Sequence, residues 1–500
     1  MSKYWVYCIF FVLFSCLRIC GAASREPFKN SVVFIKTDSL IPDYRRPWQN
    51  YSSETQTGQG IAVGPYEILT LASLIQYHTL IQVQTSFQST FIEAKAAQID
   101  WDLNLAILSI DPAALDQPLK PVSFTKDIQT GEKLFFVRLT EGRQLLPVEG
   151  KIESPEVYYN PLSGASFLFF RLSSSSSQIE TGQMVCAENN RVLGLVYPSK
   201  NQINFLIPAL ILDSFLKRMK EKPAQSIPKA GFTFSAWDQP DSRRFLKIPD
   251  QEKRGVYLSE VFDFGTGSTE LKEGDVLLNW DGKDIDPQGM VEDDKWGKLS
   301  FTYLFSRSKT QDKVKVTLWR DGQKQTIDVV MLSFHTQDLP IPYHPEGEPA
   351  YILEGGFLFQ ELNLNYLRTI GQDKEWKTNL DPLIFDFLVK NSFHVFKDRE
   401  RMVLLTRVLP HPLNQGYFHL KDKILSSING KKIRNFKDAF DMLSSGTKDQ
   451  APYLSVDFED PSVPTVVIPV NPLKQANLEI QKNYSIFTLS KIPDEHRGYD

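Results

Sequence analysis

Nine short runs of β-branched and aromatic residues, with no helical pattern between them, constrain this chain more than any other feature. They occupy the stretch from Ser31 to about Pro208 and are separated by turn-forming residues. Such a succession predicts an all-β barrel or sandwich. An amphipathic helix that begins at Ala209-Leu210-Ile211-Leu212 closes the stretch. The runs are SVVFIK, GIAV, EILTLA, LIQVQT, LAILSI, KLFFVRL, FLFFRL, VLGLVY and INFLI.

The second half of the chain contains an internal repeat. In each copy a strand-like run leads through a tight turn, Asp281-Gly282 or Asn429-Gly430, into a second run. These dipeptides are strong hairpin signals. An amphipathic segment follows, Leu299 to Phe305 or Phe436 to Leu443, which we expect to be a helix, and then a pair of strands. The pattern predicts two α+β modules of about 100 residues, at 226–334 and 350–490, joined by a Pro-rich linker at 335–349.

Composition narrows the classes of function. The chain has 500 residues, more than one hydrophobic core organises, so several domains are expected. A formal net charge of -4, with both signs interspersed, gives no basic surface for nucleic acid. Outside the N-terminal segment, Cys186 is the only cysteine, so no intrachain disulfide framework is expected. No metal-ligand spacing is present in the sequence, and no cofactor is expected.

Residues 1–23 have the pattern of a signal peptide, with an apolar run from Tyr4 to Leu17. The run is shorter than the roughly 20 apolar residues of a transmembrane helix. Two alternatives remain for its processing. Leu13-Phe14-Ser15-Cys16 resembles a bacterial lipobox, which would make Cys16 a lipidation site and attach the chain to a membrane, whereas Gly21-Ala22-Ala23 offers ordinary cleavage. Both predict an exported protein, in the bacterial periplasm or anchored as a lipoprotein in the cell envelope.

Motifs in both modules resemble a known family. The first module contains KEGDVLLNWDG and LSFTYL, and the second contains GGFLFQELNLNYLR and RMVLLTRVLPHPLNQGYFHLKDKILSSINGKKIRNF. The chain resembles the HtrA or Do-like serine proteases, closest to the subgroup with a C-terminal Do-like PDZ domain. This resemblance implies a mainly β, multidomain fold. A trypsin-like double β-barrel at 28–222 would be followed by two PDZ-type α+β modules, a PDZ domain at 226–334 and the Do-like PDZ domain at 350–490.

The resemblance also assigns positions to the family's catalytic triad. Ser73 follows Leu69-Thr70-Leu71-Ala72 where the family has its general-base histidine, and Asn104 stands where the family has aspartate before its L-A-L-L strand. Counting back from Leu193-Gly194-Leu195 places Thr181 at the nucleophilic serine. A hydroxyl nucleophile needs a neighbouring base, and that base needs an orienting group. The three replacements therefore predict a chain without serine protease chemistry.

Other residues near these positions do not replace the triad. His78, the only histidine between Ser24 and Lys222, precedes a strand and is expected in a loop or at the surface. Asp100 and Asp102 are expected to form a solvated turn. Gln183 and Met184 bring bulk to a loop where the family has glycines beside its oxyanion hole, so stabilisation of an oxyanion is expected to be impaired.

The resemblance implies that the first module captures peptides by strand addition. Lys229-Ala230-Gly231-Phe232 aligns with the family's carboxylate-binding loop, where Lys229 would add a favourable charge, and Phe234 lies in the strand that follows. Phe301 and Phe305 are expected in the wall of the groove, with a purely core role as the alternative for Phe301. The partners would be polypeptides or peptide C-termini. The family also implies homo-oligomers, trimers or higher, and a second module concerned with packing and assembly.

The leading hypothesis from sequence is a non-catalytic Do-like homologue, a pseudoprotease that acts as an envelope chaperone, adaptor or regulatory scaffold. The alternative is an active serine-type endopeptidase with a rearranged site in envelope protein quality control. A third hypothesis is a lipid-anchored structural or adhesion protein that uses the barrel as a spacer.

Overall fold

The structure is a computed structural model that describes residues 26–176, 179–198, 203–221, 226–370, 376–445 and 452–492. The predicted signal segment 1–23 and the lipidation candidate Cys16 lie outside the described residues. Within the described ranges, no helix is both long enough and apolar enough to span a membrane.

The first strands close into a barrel in the order β1-β2-β3-β6-β5-β4. All neighbours are antiparallel, with Val32 opposite Ile61 where β1 meets β2. Alternating aliphatic side chains such as Val33, Ile35 and Ile68 fill its interior. The strands are β1 (Val32–Pro42), β2 (Asn50–Gly64), β3 (Glu67–Leu71), β4 (His78–Gln84), β5 (Ile92–Asp100) and β6 (Leu105–Ile110).

A second closed barrel follows in the order β10-β11-β12-β9-β8-β7. The predicted helix is present as α1 (Ala209–Arg218), which buries Ile211, Leu212 and Phe215. An apolar core that includes Val32 of the first barrel and Phe169 of the second joins the two. The strands are β7 (Lys133–Leu139), β8 (Leu145–Asn160), β9 (Ala165–Ser174), β10 (Met184–Ala187), β11 (Val192–Pro198) and β12 (Asn204–Pro208).

The first module is a six-stranded sheet with a separate two-stranded hairpin, β17-β18. Its path runs β13-β14-β15-β19-β20, and β16 pairs with β15. Asp281 and Gly282 both have positive φ, as the predicted hairpin turn requires. The elements are β13 (Phe232–Ser235), α2 (Pro240–Phe245), β14 (Val256–Val261), β15 (Val276–Trp280), β16 (Lys283–Asp284), β17 (Met290–Asp293), β18 (Gly297–Ser300), β19 (Lys313–Arg320) and β20 (Gln323–Val330).

The prediction of a helix from Leu299 to Phe305 is wrong in its first residue and in the type of helix. Leu299 pairs with Val291 in the β17-β18 hairpin, and a 3₁₀-helix follows at Phe301–Arg307. This segment buries residues on more than one face, because it packs between its own sheet and β9 of the second barrel. The ring of Phe170 in β9 meets Trp296 edge-on at 4.8 Å across the same junction. The barrel and the first module therefore share one continuous apolar core.

The second module is an eight-stranded sheet with the path β27-β26-β24-β23-β22-β21-β28, and β25 pairs with β24. The Asn429-Gly430 turn has positive φ at both residues, and the predicted helix is present as α5. The elements are β21 (Tyr351–Glu354), β22 (Phe357–Glu361), α3 (Leu364–Leu367), α4 (Pro382–Asn391), β23 (Val403–Val408), β24 (Lys423–Ile428), β25 (Lys431–Lys432), α5 (Phe436–Ser445), β26 (Tyr453–Phe458), β27 (Val466–Pro469), α6 (Leu473–Tyr484) and β28 (Ser490–Lys491).

The segment 335–349 is packed against the second module. Ile341 is buried in the same cluster as Leu362 and Leu404. The guanidinium of Arg401 donates to the carbonyls of Gln337 at 2.8 Å and Leu339 at 2.7 Å. These contacts fix the segment in one position between the modules.

Candidate functional site: a barrel cleft and an edge strand

Ser73 and Asn104, the predicted base and acid positions, are in direct contact. Ser73 lies in a short 3₁₀-helix after β3, and Asn104 directly precedes β6, the strand beside β3. The Ser73 N–H donates to Asn104 Oδ1 at 2.6 Å, and Asn104 Nδ2 donates to Ser73 Oγ at 3.1 Å. Asn104 has φ +56°, a left-handed conformation that asparagine tolerates. The pair satisfies polar groups of the backbone and contains neither an imidazole nor a carboxylate.

Thr181, the predicted nucleophile position, lies in the loop before β10 and is pressed against β2. Its carbonyl accepts a hydrogen bond from the Gln59 N–H at 2.9 Å. A Cβ at Gly58 would lie 2.7 Å from the Leu74 side chain and 3.0 Å from the Thr181 carbonyl. Leu74, which follows Ser73, and Thr181 therefore both contact β2 at Gly58. Within the described part of the chain, the Thr181 hydroxyl makes no hydrogen bond.

A buried polar network fixes the loop that carries Thr181. Gln59 in β2 is fully buried, and its amide exchanges two hydrogen bonds with the backbone of Leu139 in β7, at 2.9 and 3.1 Å. The same amide nitrogen donates to Glu180 Oε2 at 2.6 Å. Arg138 forms an ion pair with the other oxygen of Glu180. Gln59 therefore links the first barrel, the second barrel and the loop.

Backbone N–H groups of this loop are used inside the chain. The Gly182 N–H donates to the Val196 carbonyl at 3.2 Å, and the Gln183 N–H donates to the Glu180 carbonyl at 3.3 Å. Gln183 and Met184 are fully buried within the second barrel. These two N–H groups are therefore not free to bind an oxyanion. The cause is hydrogen bonding within the chain and not the expected bulk of the Gln183 and Met184 side chains in the cleft.

Sequence reasoning missed Gln59, Arg138 and Glu180. Gln59 gave one signal, a long polar side chain between Gly58 and Gly60 directly before the apolar run GIAV. Arg138 and Glu180 gave none, because their pairing depends on a contact between residues 42 positions apart.

The neighbouring ionisable residues are structural. His78 lies at the start of β4, with Nδ1 2.8 Å from the Ile75 carbonyl. The solvated turn expected for Asp100 and Asp102 is wrong. Asp100 is buried and accepts from Arg218 of α1 at 2.8 Å. Asp102 pairs with Lys229 of the first module at 2.8 Å. Each carboxylate thus ties the first barrel to a later part of the chain.

The role expected for Lys229 at a peptide carboxylate needs correction. Its side chain has 0% exposure, and its amine donates to Asp102 and, at 2.6 Å, to the Phe334 carbonyl. The ammonium also lies 4.8 Å from the centroid of the Phe334 ring. Burial raises the pKa of Asp102, and this effect outweighs the opposing attraction of Lys229. Lys229 therefore forms a buried ion pair that connects the first module to Asp102 of the first barrel.

The rest of the predicted carboxylate loop is closed on itself. The Gly231 N–H donates to the Thr266 carbonyl at 2.9 Å, and Ala230 forms a parallel bridge with Thr266. A Cβ at Gly231 would lie 2.6 Å from the Phe264 carbonyl. The segment 264–266 therefore covers the loop, and the N–H of Gly231 is already donated.

The predicted groove aromatics divide between core and surface. Phe232, Phe301 and Phe305 are buried together, with the Phe232 and Phe301 rings stacked at 6.4 Å. Phe301 and Phe305 therefore pack in the core of the module, and their part in the wall of a peptide groove stays a prediction. Phe234 is half-buried in β13, with its ring 5.0 Å from Phe301. β13 is the terminal strand of its sheet, so no strand among the described residues pairs with its outer edge.

Comparisons with known proteins agree with this architecture. A family model described as "PDZ domain" matches residues 341–490. "Protease Do-like 2, chloroplastic" from Arabidopsis thaliana is 25% identical over 468 residues, which cover 92% of this chain and 74% of that protein. The chain is thus similar to the HtrA/Do-like proteases over most of its length. Its fold is the expected one, mainly β, with a trypsin-like pair of barrels and PDZ-type modules.

Two further matches are a curated protein and a solved structure. The "Serine protease DegP homolog" of Plasmodium falciparum is 20% identical over 526 residues and is matched over 84% of this chain and 59% of that protein. A solved structure, "HtrA-type protease AlgW with decapeptide", is 17% identical with a TM-score of 0.46 and covers 61% of this chain and 95% of that one.

Proposed function

We propose that this Do-like chain is a non-catalytic homologue that binds polypeptides as a chaperone, adaptor or regulatory scaffold. One observation carries the proposal, the reciprocal hydrogen bonding of Ser73 and Asn104. A serine hydroxyl cannot accept the proton of a nucleophile near neutral pH, and an asparagine cannot stabilise a cation there. In triads, loss of the nucleophile or the base costs on the order of 10⁶ in turnover.

The alternative is an active serine endopeptidase, and the names of the relatives favour it. "Protease Do-like 2" and the "Serine protease DegP homolog" are both named as proteases. An active form would need a general base next to Thr181. It would also need the loop that carries Thr181 to break its hydrogen bonds to Gln59 and Val196. The contacts of the loop oppose that rearrangement.

Labelling with a fluorophosphonate, together with hydrolysis of unfolded casein, tests the catalytic question. We expect neither labelling nor hydrolysis by the purified chain. Labelling that disappears in Thr181→Ala but persists in the control Thr140→Ala would establish the active protease instead.

Polypeptide binding is proposed at the open edge of β13. A peptide that adds as a strand would pair with the backbone beside the exposed Thr233 and Ser235, and its side chains would reach Phe234. Because the Gly231 N–H is donated to Thr266, the site favours internal extended segments over free C-termini. The mode differs in this respect from capture of a terminal carboxylate.

Fluorescence anisotropy with a library of extended peptides, each with a free and an amidated C-terminus, tests this mode. We expect equal affinity for the two forms and roughly tenfold weaker binding for Phe234→Ala, the loss typical of an anchoring aromatic residue. Phe245→Ala in α2 is the matched control, because that ring is 86% exposed. A strong preference for the free C-terminus would contradict strand addition without carboxylate capture.

Export is part of the proposal and rests on the sequence of residues 1–23. If Cys16 is acylated, cells fed radiolabelled palmitate will yield a labelled chain, and Cys16→Ala will abolish the label. An unlabelled chain that begins at Ser24 would instead support ordinary cleavage.

A further inference from the structure

Four basic side chains line one cavity between the first barrel and the C-terminal PDZ domain. The cavity has a volume of about 150 Å³. Arg45 comes from the loop between β1 and β2, Arg407 from β23, and His419 and Lys421 from the segment before β24. No residue of the cleft around Ser73 and Thr181 takes part in its lining. It is therefore separate from the barrel cleft and from β13.

The positive charge in this cavity exceeds the negative charge of the residues that line it. Asp422 is the only carboxylate among the lining residues, and it accepts a hydrogen bond from the Tyr366 hydroxyl. Across the described ranges, the side chains of Arg45, Arg407 and Lys421 form neither hydrogen bonds nor ion pairs. Three cations thus face one carboxylate, in a chain whose formal net charge is -4.

The backbone that carries these cations is held firmly. Asp43 is buried and accepts from the N–H groups of Arg45 and Arg46 at 2.9 and 3.1 Å. The Tyr44 carbonyl accepts from the buried amide of Gln360 at 3.1 Å. Arg46 forms an ion pair with Asp43 at 2.8 Å, whereas the adjacent Arg45 lines the cavity.

The backbone of Arg407, on the opposite side of the cavity, is held within a strand of the C-terminal sheet. It lies in β23 between two buried neighbours, Thr406 and Val408. Both Arg45 and Arg407 are close enough to Tyr366 to lower the pKa of its hydroxyl, although burial raises that pKa overall. Two guanidiniums on separate, well-ordered elements therefore converge on one space.

We propose that this cavity binds a phosphate group and that the bound phosphate ties the first barrel to the C-terminal PDZ domain. Guanidinium forks match the oxygens of phosphate with paired, charge-assisted hydrogen bonds. Phosphate carries a charge of about -1.5 to -2 near pH 7, which matches the excess of three cations over one carboxylate. A single carboxylate ligand would leave part of that excess unbalanced.

The phosphate could be inorganic or part of a small organic monoester. Phe418 also lines the cavity, and its ring is 56% exposed. An organic group attached to the phosphate would contact this ring, whereas orthophosphate would not. Comparing orthophosphate with phenyl phosphate distinguishes the two sources.

Titration calorimetry on the full chain at low salt, with orthophosphate and phenyl phosphate as probes, tests the site. We expect binding that weakens by about tenfold or more in Arg45→Gln and in Arg407→Gln, since each removes a hydrogen bond to a charged group. Lys474→Gln is the matched control, because Lys474 is an exposed cation in α6 of the same domain and is outside the cavity. Circular dichroism checks that each variant is folded.

The second readout is amide exchange in residues 43–48, which phosphate should slow in the wild-type chain but not in Arg45→Gln. Tighter binding of phenyl phosphate that is lost in Phe418→Ala would identify an organic monoester, and equal affinities would identify inorganic phosphate. No binding of either probe would overturn the proposal. Equal weakening in Lys474→Gln and the two arginine variants would overturn it as well, because it would reveal only a general effect of charge.

Discussion

The buried pair of Lys229 and Asp102 gives the sharpest quantitative expectation. The Lys229 side chain is fully buried and the Asp102 side chain is 17% exposed, so water compensates little if one partner is removed. Asp102→Asn leaves the buried ammonium without its counter-charge, with neutral oxygens such as the Phe334 carbonyl as acceptors. Breaking a buried pair in this way costs about 3–5 kcal/mol of stability. The raised pKa of Asp102 indicates that burial penalises the carboxylate, so removing both charges should cost far less.

A double-mutant cycle measures this coupling. Urea unfolding of the wild-type chain, Asp102→Asn, Lys229→Met and the double variant can be followed by Trp296, whose ring lies 4.8 Å from Phe170 across the same junction. We expect each single variant to be strongly destabilised and the double variant to recover most of the loss. If the double variant loses the sum of the two single effects, the ion pair does not couple the barrel to the first module.

Two further predictions concern single sites. Burial raises the pKa of Glu354 to about 7 from 4.5, so its stabilisation is present below pH 4.5 and lost as the pH rises through 7. Glu354→Gln should therefore stabilise the chain by up to about 3 kcal/mol at pH 8 and not at pH 4, as thermal unfolding at both pH values would reveal. Gly182→Ala should cost more than Gly430→Ala in urea unfolding. Both glycines have φ near +70°, but only at Gly182 would a Cβ meet backbone, 2.3 Å from the Gln59 carbonyl; equal losses would contradict this contact.

Strands that contain a dense run of β-branched or aromatic residues were predictable from the sequence. All nine apolar runs lie in strands of the two barrels. The strands that the pattern missed are β5, β8 and β10. β5 (IEAKAAQID) and β8 (LLPVEGKIESPEVYYN) expose much of one face and carry charged residues there, and β10 has only four residues. Local apolar density is therefore a poor signal for strands that bury one face or are very short.

The candidate site shows the same division between local and distant information. Ser73 and Asn104 could be placed because strand and motif spacing fix their register, and the two side chains are in contact. The error over Lys229 came from a partner 127 positions away in the sequence. Nothing within the loop 229–232 indicates that a carboxylate from the first barrel will face it. Predictions about loops thus failed where another domain supplied the neighbouring group.

Several polar groups in the cleft between the barrels are hydrogen-bonded within the chain. In an active triad, polar groups are left partly unpaired so that they can meet a substrate. Here Asn104 satisfies the N–H of Ser73, Gln59 bonds Leu139 and Glu180, and two N–H groups of the loop donate to carbonyls of the same chain. Polar groups that are satisfied within the chain in this way contribute to stability, which is consistent with the proposed non-catalytic role. β13 has no strand beyond it in its sheet among the described residues, so the proposed recognition of a polypeptide is best sought there.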